Sequence, residues 1–119
     1  MRVLLVDDEK ELVSTLAERL AIRNIDSDWV TDGEDALKLV ETHCYDVAVL
    51  DIRLPGISGL DLQKKMRLEC PGLKFIFMTG HGSQGDFQAG ATEAGTDYYL
   101  VKPVGSDELI EKMNNLMSA

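Results

Sequence analysis

Four short apolar runs punctuate the chain, and each stops abruptly at a polar residue. Val3-Leu4-Leu5-Val6 ends at Asp7-Asp8, Val47-Ala48-Val49-Leu50 at Asp51, Leu73–Met78 at Thr79, and Tyr98–Val101 at Lys102. Runs of this length without alternation predict strands buried on both faces. Asp26–Val30 is a weaker strand, because polar residues interrupt it. Between the runs the apolar spacing changes to that of helices. Leu12, Val13, Leu16, Ala17 and Leu20 form one inner face, Ala36, Leu37 and Val40 a second, and Leu62 and Met66 a third. Leu109, Ile110, Met113 and Leu116 form the last. Thr31-Asp32-Gly33-Glu34 has the form of a capping box, Ser58 is a cap for the helix that follows, and Ser106 or Asp107 caps the final one. Pro55-Gly56 marks a turn. The segment Ser83–Gly95 falls where a fourth helix belongs. Its interior glycines, Gly85 and Gly90, each cost a helix roughly 0.5–1 kcal/mol relative to alanine, so it is expected to be marginal and easily reshaped. A βα unit repeated five times implies an α/β fold, a parallel sheet wound on both faces by helices.

At 119 residues the chain fits one domain, spanning 1–119, that can bury a core without disulfides or structural metals. The net charge of −9 argues against a nucleic-acid-binding face and suggests a carboxylate cluster that serves a cation. Cys44 and Cys70 are read as free thiols, and neither a CxxC pair nor clustered histidines suggest zinc. His43 fits a helix C-terminus. Trp29 is read as packing or partly exposed, without chemistry, and the methionines mainly as core filler. The strand pattern starts at Arg2, which leaves no room for a leader peptide, and no apolar run approaches bilayer-spanning length. A cytoplasmic protein with no membrane contact is expected.

Ligands of open α/β sheets bind outside the carboxyl ends of the strands. Those ends carry Asp7, Asp8, Asp51, Thr79 and Lys102. With strand order 2-1-3-4-5 all five would face one crevice. Clustered carboxylates repel one another and favour a hard divalent cation. A carboxylate beside such a cation can act as a nucleophile in phosphoryl transfer. A hydroxyl and a lysine supply the remaining contacts to the phosphoryl oxygens. Taken singly, each residue has a plainer explanation: Asp7 or Asp8 as a helix cap, Thr79 before Gly80 as turn punctuation, Lys102 before Pro103 as a solvated strand end. The joint pattern argues against these.

The motifs Leu5-Val6-Asp7-Asp8, Leu50-Asp51-Ile52-Arg53-Leu54-Pro55-Gly56-Ile57-Ser58-Gly59, Met78-Thr79-Gly80-His81-Gly82 and Asp97-Tyr98-Tyr99-Leu100-Val101-Lys102-Pro103 stand in order along the chain. With them the sequence resembles the receiver domain of two-component response regulators over essentially its whole length. That resemblance implies a flavodoxin-like, doubly wound five-stranded sheet of order 2-1-3-4-5. Asp51 would be the phosphoacceptor, phosphorylated by a sensor histidine kinase, a phosphotransfer protein or a small phosphodonor. Mg²⁺ (or Mn²⁺) would be held by Asp8, Asp51 and the Arg53 carbonyl, with Asp7 acting mainly through water. Thr79 and Lys102 would bind the phosphoryl group. Tyr99 would follow Thr79 from an outward to an inward rotamer. Arg53 and His81 would tune phosphoryl lifetime, and the Lys102-Pro103 bond would be cis. The predicted fourth helix, fifth strand and last helix would form the switching face, with homodimerisation as one use of it. Such a domain is no enzyme beyond its own phosphorylation and dephosphorylation. Two enzyme-like readings fit worse. An aspartyl-phosphate hydrolase of the haloacid dehalogenase type wants an acid where Arg53 stands, and a dinucleotide binder wants a glycine-rich loop where Asp7-Asp8-Glu9-Lys10 stands. The remaining alternative is a pseudo-receiver, a binding module that works without phosphorylation.

Overall fold

The computed structural model describes residues 1–80 and 99–118. Five parallel strands run β1 (Arg2–Val6), β2 (Asp26–Val30), β3 (Val47–Asp51), β4 (Lys74–Thr79) and β5 (Tyr99–Val101). They lie in the order β2-β1-β3-β4-β5. The helices between and after them are α1 (Lys10–Ile22), α2 (Gly33–Thr42), α3 (Gly59–Glu69) and α4 (Ser106–Ser118). The expected helix within Ser83–Gly95, together with Tyr98 and His81, lies outside the described residues. Among the described residues no helix is long and apolar enough to cross a membrane.

The unbroken apolar runs are explained by helices on both sides of the sheet. Val3, Leu5, Val47, Val49, Ile76 and Met78 point to one face and pack with Leu16 and Leu20 of α1 and Leu109 and Met113 of α4. Leu4, Val6, Ala48, Leu50, Phe75 and Phe77 point to the other and pack with Ala36 and Val40 of α2 and Leu62 and Met66 of α3. β3 is buried at every residue. Each large apolar side chain fully buried in this way contributes roughly 1.5–3 kcal/mol. Among the described residues β2 is an edge strand paired only to β1, which is why its sequence Asp-Ser-Asp-Trp-Val reads weakly. Trp29 is partly buried against the α1 and α4 side of the core.

Two helix starts differ from the sequence reading. The N-cap of α2 is Asp32, whose carboxylate accepts the Asp35 N–H at 2.8 Å, rather than Thr31. A carboxylate in extended backbone caps as well as a hydroxyl, and the apolar face of α2 sets its start one residue later. α4 begins at Ser106 itself, and Gly105 accepts the first helical bond from Leu109 at 3.0 Å, so neither Ser106 nor Asp107 is an N-cap. Ser58 does cap α3, its hydroxyl accepting the Asp61 N–H at 3.1 Å.

The order in which strands are added reverses between β1 and β3: β1 leads outward to β2, whereas β3 leads the other way to β4. Helices leaving these neighbours diverge to opposite faces and open a crevice above their carboxyl ends. Asp7 and Asp51 stand there. Gly59, first residue of α3, seals one side by lying against the backbone of Asp51 and donating its N–H to Ile52 at 2.7 Å. A Cβ at Gly59 would clash with the Asp51 carbonyl and stand 2.9 Å from Ile52 Cα. Because those neighbours are backbone, they have little room to yield. Gly59→Ala is therefore expected to lower stability by about 1–3 kcal/mol in urea titrations, as overpacking does. An unchanged midpoint would mean that α3 can shift without cost.

Candidate functional site

Asp51 ends β3 and is 6% exposed. Its Oδ1 accepts the Arg53 N–H at 3.0 Å, and its Oδ2 accepts from the Lys102 ammonium at 3.1 Å. Asp7 follows β1 and is fully buried. Its Oδ1 accepts the Glu9 N–H at 2.8 Å, and its Oδ2 lies 2.7 Å from Lys102 Nζ. Asp8 is exposed at the rim. One oxygen from each of Asp7, Asp8 and Asp51 falls within 4.8 Å of the others, a donor set of hard oxygens suited to a metal ion. Lys102 follows β5 and reaches across β4 and β3. Its side chain is 16% exposed, which does not fit a solvated strand end. Its backbone N–H donates to Thr79 at 2.8 Å, which holds the start of this loop against β4. The Lys102–Pro103 bond is cis.

Thr79 closes β4 and is buried, with its hydroxyl donating to the Gly80 carbonyl at 3.4 Å. That bond is long, at the weak end of the hydrogen-bond range. Tyr99 is also buried, and its ring stacks on Phe77 with centroids 5.4 Å apart. The side chain of Arg53 is exposed at the mouth of the crevice.

Sequence reasoning gave Glu9 no role, yet its Oε1 accepts from Lys102 Nζ at 2.9 Å. Glu9 is the N-cap of α1. As a third acid after Asp7-Asp8 it reads as a helix-start charge. Only the fold brings in a lysine 93 positions away. At 62% exposure this pair is screened and contributes little to stability. Gly59 stood in a quoted motif without a role, and its tight contact behind Asp51 could not be read from sequence.

Burial sets the electrostatics. It pushes the Asp7 carboxyl up from its usual 3.8 to about 6, against the opposing pull of Lys102 and the Glu9 N–H. Burial likewise raises Asp51, while the Arg53 N–H and Lys102 draw it back. Burial alone would lower Lys102, but its hydrogen bonds to Asp7 and Glu9 outweigh this and hold the ammonium firmly protonated. The carboxylates at this edge thus outnumber the cation that they share.

The model of one protein family matches residues 3–114: the response regulator receiver domain. This chain belongs to that family. It is the receiver domain of a two-component response regulator. It is 38% identical over 117 residues to the two-component response regulator PhoP of Pseudomonas aeruginosa, covering 98% of this chain and 52% of that protein. It is 36% identical over 116 residues to the transcriptional regulatory protein DltR of Streptococcus agalactiae, covering 95% and 50%. The receiver therefore spans about half the length of the curated relatives it matches. Among solved structures it superposes on the receiver domain of the Francisella response regulator 1452 with a TM-score of 0.83, at 32% identity and 98% and 96% coverage. A CheY-like receiver domain protein from Methanospirillum hungatei gives 0.87, at 28% identity and 98% and 93% coverage.

The pH dependence of the metal-free receiver follows from Asp7. The folded state holds this proton more tightly than the unfolded chain, whose carboxyl titrates near 3.8. The resulting destabilisation is absent below that pH, grows as pH rises toward 6, and is complete above it. The span of about two pH units corresponds to roughly 3 kcal/mol. Asp7→Asn should therefore raise stability in EDTA at pH 7.5 by about 1–3 kcal/mol. The gain should shrink steadily below pH 6. Parallel pH–stability curves for the two proteins would show that Asp7 carries no such charge penalty.

Proposed function

We propose that this receiver takes a phosphoryl group on Asp51 in a reaction that depends on a divalent cation, and that the change switches the surface around β5 and α4. The observation that carries this reading is the convergence of Asp7, Asp8 and Asp51 with Lys102 at the carboxyl ends of adjacent strands. The donors suit Mg²⁺ or Mn²⁺: hard carboxylate oxygens whose burial disfavours their charge until a cation offsets it. Asp8, Asp51 and the Arg53 carbonyl would hold the ion, with Asp7 behind them. Bound there, it would neutralise charge on the phosphoryl oxygens.

The chain's own residues account for the rest. Asp51 attacks the phosphorus of a phosphohistidine on a sensor kinase or phosphotransfer protein, or of a small phosphodonor. An O–P bond forms and the P–N or P–O bond to the donor breaks, with the electron pair leaving on the donor. Lys102 is already bonded to Asp51 Oδ2, so its ammonium is in place to follow the charge onto a phosphoryl oxygen. Thr79 exchanges its weak bond to Gly80 for one to another phosphoryl oxygen. Tyr99, which opens β5 opposite Phe77, follows Thr79 from an outward to an inward rotamer. Arg53, at the crevice mouth, and His81 tune the access of water and hence the lifetime of the acyl phosphate. The half-exposed apolar Val101 on β5 gives the switched face a surface for a partner.

Intact-mass measurement after incubation with acetyl phosphate tests the reading. The expected result is gain of one phosphoryl group by the wild type with Mg²⁺, and none with EDTA or in Asp51→Asn. A folded, Mg²⁺-binding protein that gains nothing from acetyl phosphate or from a phosphorylated kinase would instead be a pseudo-receiver. Thr79→Ala should still be phosphorylated, but the amide shifts that phosphorylation causes in β5 and α4 should be largely lost. Wild-type shifts in that variant would remove Thr79 from the switch.

A further inference from the structure

Cys44 and Cys70, 26 positions apart, stand with their sulfurs 3.9 Å from one another at the edge of the sheet opposite Asp51. Cys44 is exposed, in the connection between the end of α2 at Thr42 and the start of β3 at Val47. Cys70 is buried as the C-cap of α3, its N–H donating to Met66 at 2.9 Å. The Cys70 thiol faces the end of α2: its sulfur lies 3.8 Å from the Val40 carbonyl and 4.0 Å from that of His43. It is thus aimed across the gap between the ends of two helices.

We infer that Cys44 and Cys70 form a modification site: an accessible thiol and a buried partner that a hydroperoxide oxidises to an intramolecular disulfide, clasping the end of α2 to the end of α3. The sulfurs must close by about 2 Å to reach bonding distance. Residues 43–45 have no regular structure, so the adjustment falls on the Cys44 side without unwinding a helix. In the first step the Cys44 sulfur attacks the peroxide. An S–O bond forms, the O–O bond breaks, and water (or the alcohol) leaves, giving a sulfenic acid. In the second step the Cys70 sulfur attacks the Cys44 sulfur. The S–S bond forms, the S–O bond breaks, and hydroxide leaves as water with the proton from Cys70. Two thiols are oxidised and one peroxide is reduced.

The two sites of attack are separated by access and charge. Burial raises the Cys70 thiol above its usual range, and proximity to Cys44 raises it further. Cys70 is therefore a poor first target for peroxide, since the thiolate is the nucleophile. Once Cys44 carries a neutral sulfenic acid, the repulsion between two neighbouring sulfur anions is gone and Cys70 ionises more readily. The site lies where β3 and β4 begin, whereas Asp51 ends β3. Its oxidation should leave the acceptor crevice intact, so it does not rest on the phosphorylation reading.

The whole chain, treated with hydrogen peroxide under denaturant-free conditions and then blocked with a thiol alkylator, tests this. Wild type should lose the mass of two hydrogens, take up no alkylator, run as a monomer without reductant, and yield one peptide cross-linked between Cys44 and Cys70. Dithiothreitol should restore both thiols. The Tm of the oxidised chain should rise by roughly 8–16 °C, as closing a loop of this length stabilises a domain of this size. Cys44→Ser, a change at an exposed position, should abolish the cross-link and leave Cys70 slow to oxidise. Cys70→Ala should stop at the sulfenic acid or give dimers. Cross-links only between molecules, oxygen addition at Cys44 without a cross-link in the wild type, or two thiols that stay alkylatable would each overturn the proposal.

Discussion

The Lys102 ammonium makes ion pairs with Asp7, Glu9 and Asp51 at 2.7, 2.9 and 3.1 Å, and the crevice is organised around that shared cation. Asp7 and Asp51 are not buried by choice of side chain. They are buried because strands covered on both faces end where they stand, and the parallel pairing of β1 with β3 puts those ends side by side. Charge removed from water at such a place is unfavourable unless it is paired. One lysine cannot satisfy three acids together with Asp8 at the rim. The crevice therefore carries more negative charge than Lys102 balances, and anything that binds the folded state alone also stabilises it.

Around this centre the parts differ in how firmly they are held. β3 is buried throughout, the Arg53 N–H fixes one oxygen of Asp51, and Gly59 presses the start of α3 against its backbone. The position of Asp51 is thus set by packed backbone on a rigid scaffold. The Thr79 hydroxyl, by contrast, is held by one long bond to its own neighbour. A group held so weakly can be recruited by a new ligand at little energetic cost. The cysteine pair occupies the other end of β3, where the ends of α2 and α3 meet. Chemistry there would act on the helical layer behind the sheet rather than on Asp51.

Much of this was legible in the sequence. The strand ends were readable because an apolar run buried on both faces must stop where the chain meets solvent or ligand. The polar residues found there therefore had positions in space as well as along the chain. The acidic pair, Asp51, Thr79, Lys102 and the cap at Ser58 needed nothing more. The starts of α2 and α4 were less legible, since Asp32 competes with Thr31 and Gly105 with Ser106, and local chemistry permits either. β2 looked weak because an edge strand is only half buried.

By itself the sequence determined the order of the elements, the residues that end each strand, and through its motifs the family. Those depend on local periodicity and on patterns contiguous in the chain. Only the tertiary structure decided that Glu9 shares Lys102 with the aspartates, that Gly59 has no room for a Cβ, and that Cys44 and Cys70 face one another. The first and last are contacts between segments far apart in sequence, and the second depends on how α3 folds back onto the end of β3. Their distances are set by how helices pack on a twisted sheet, and no local pattern along the chain encodes that.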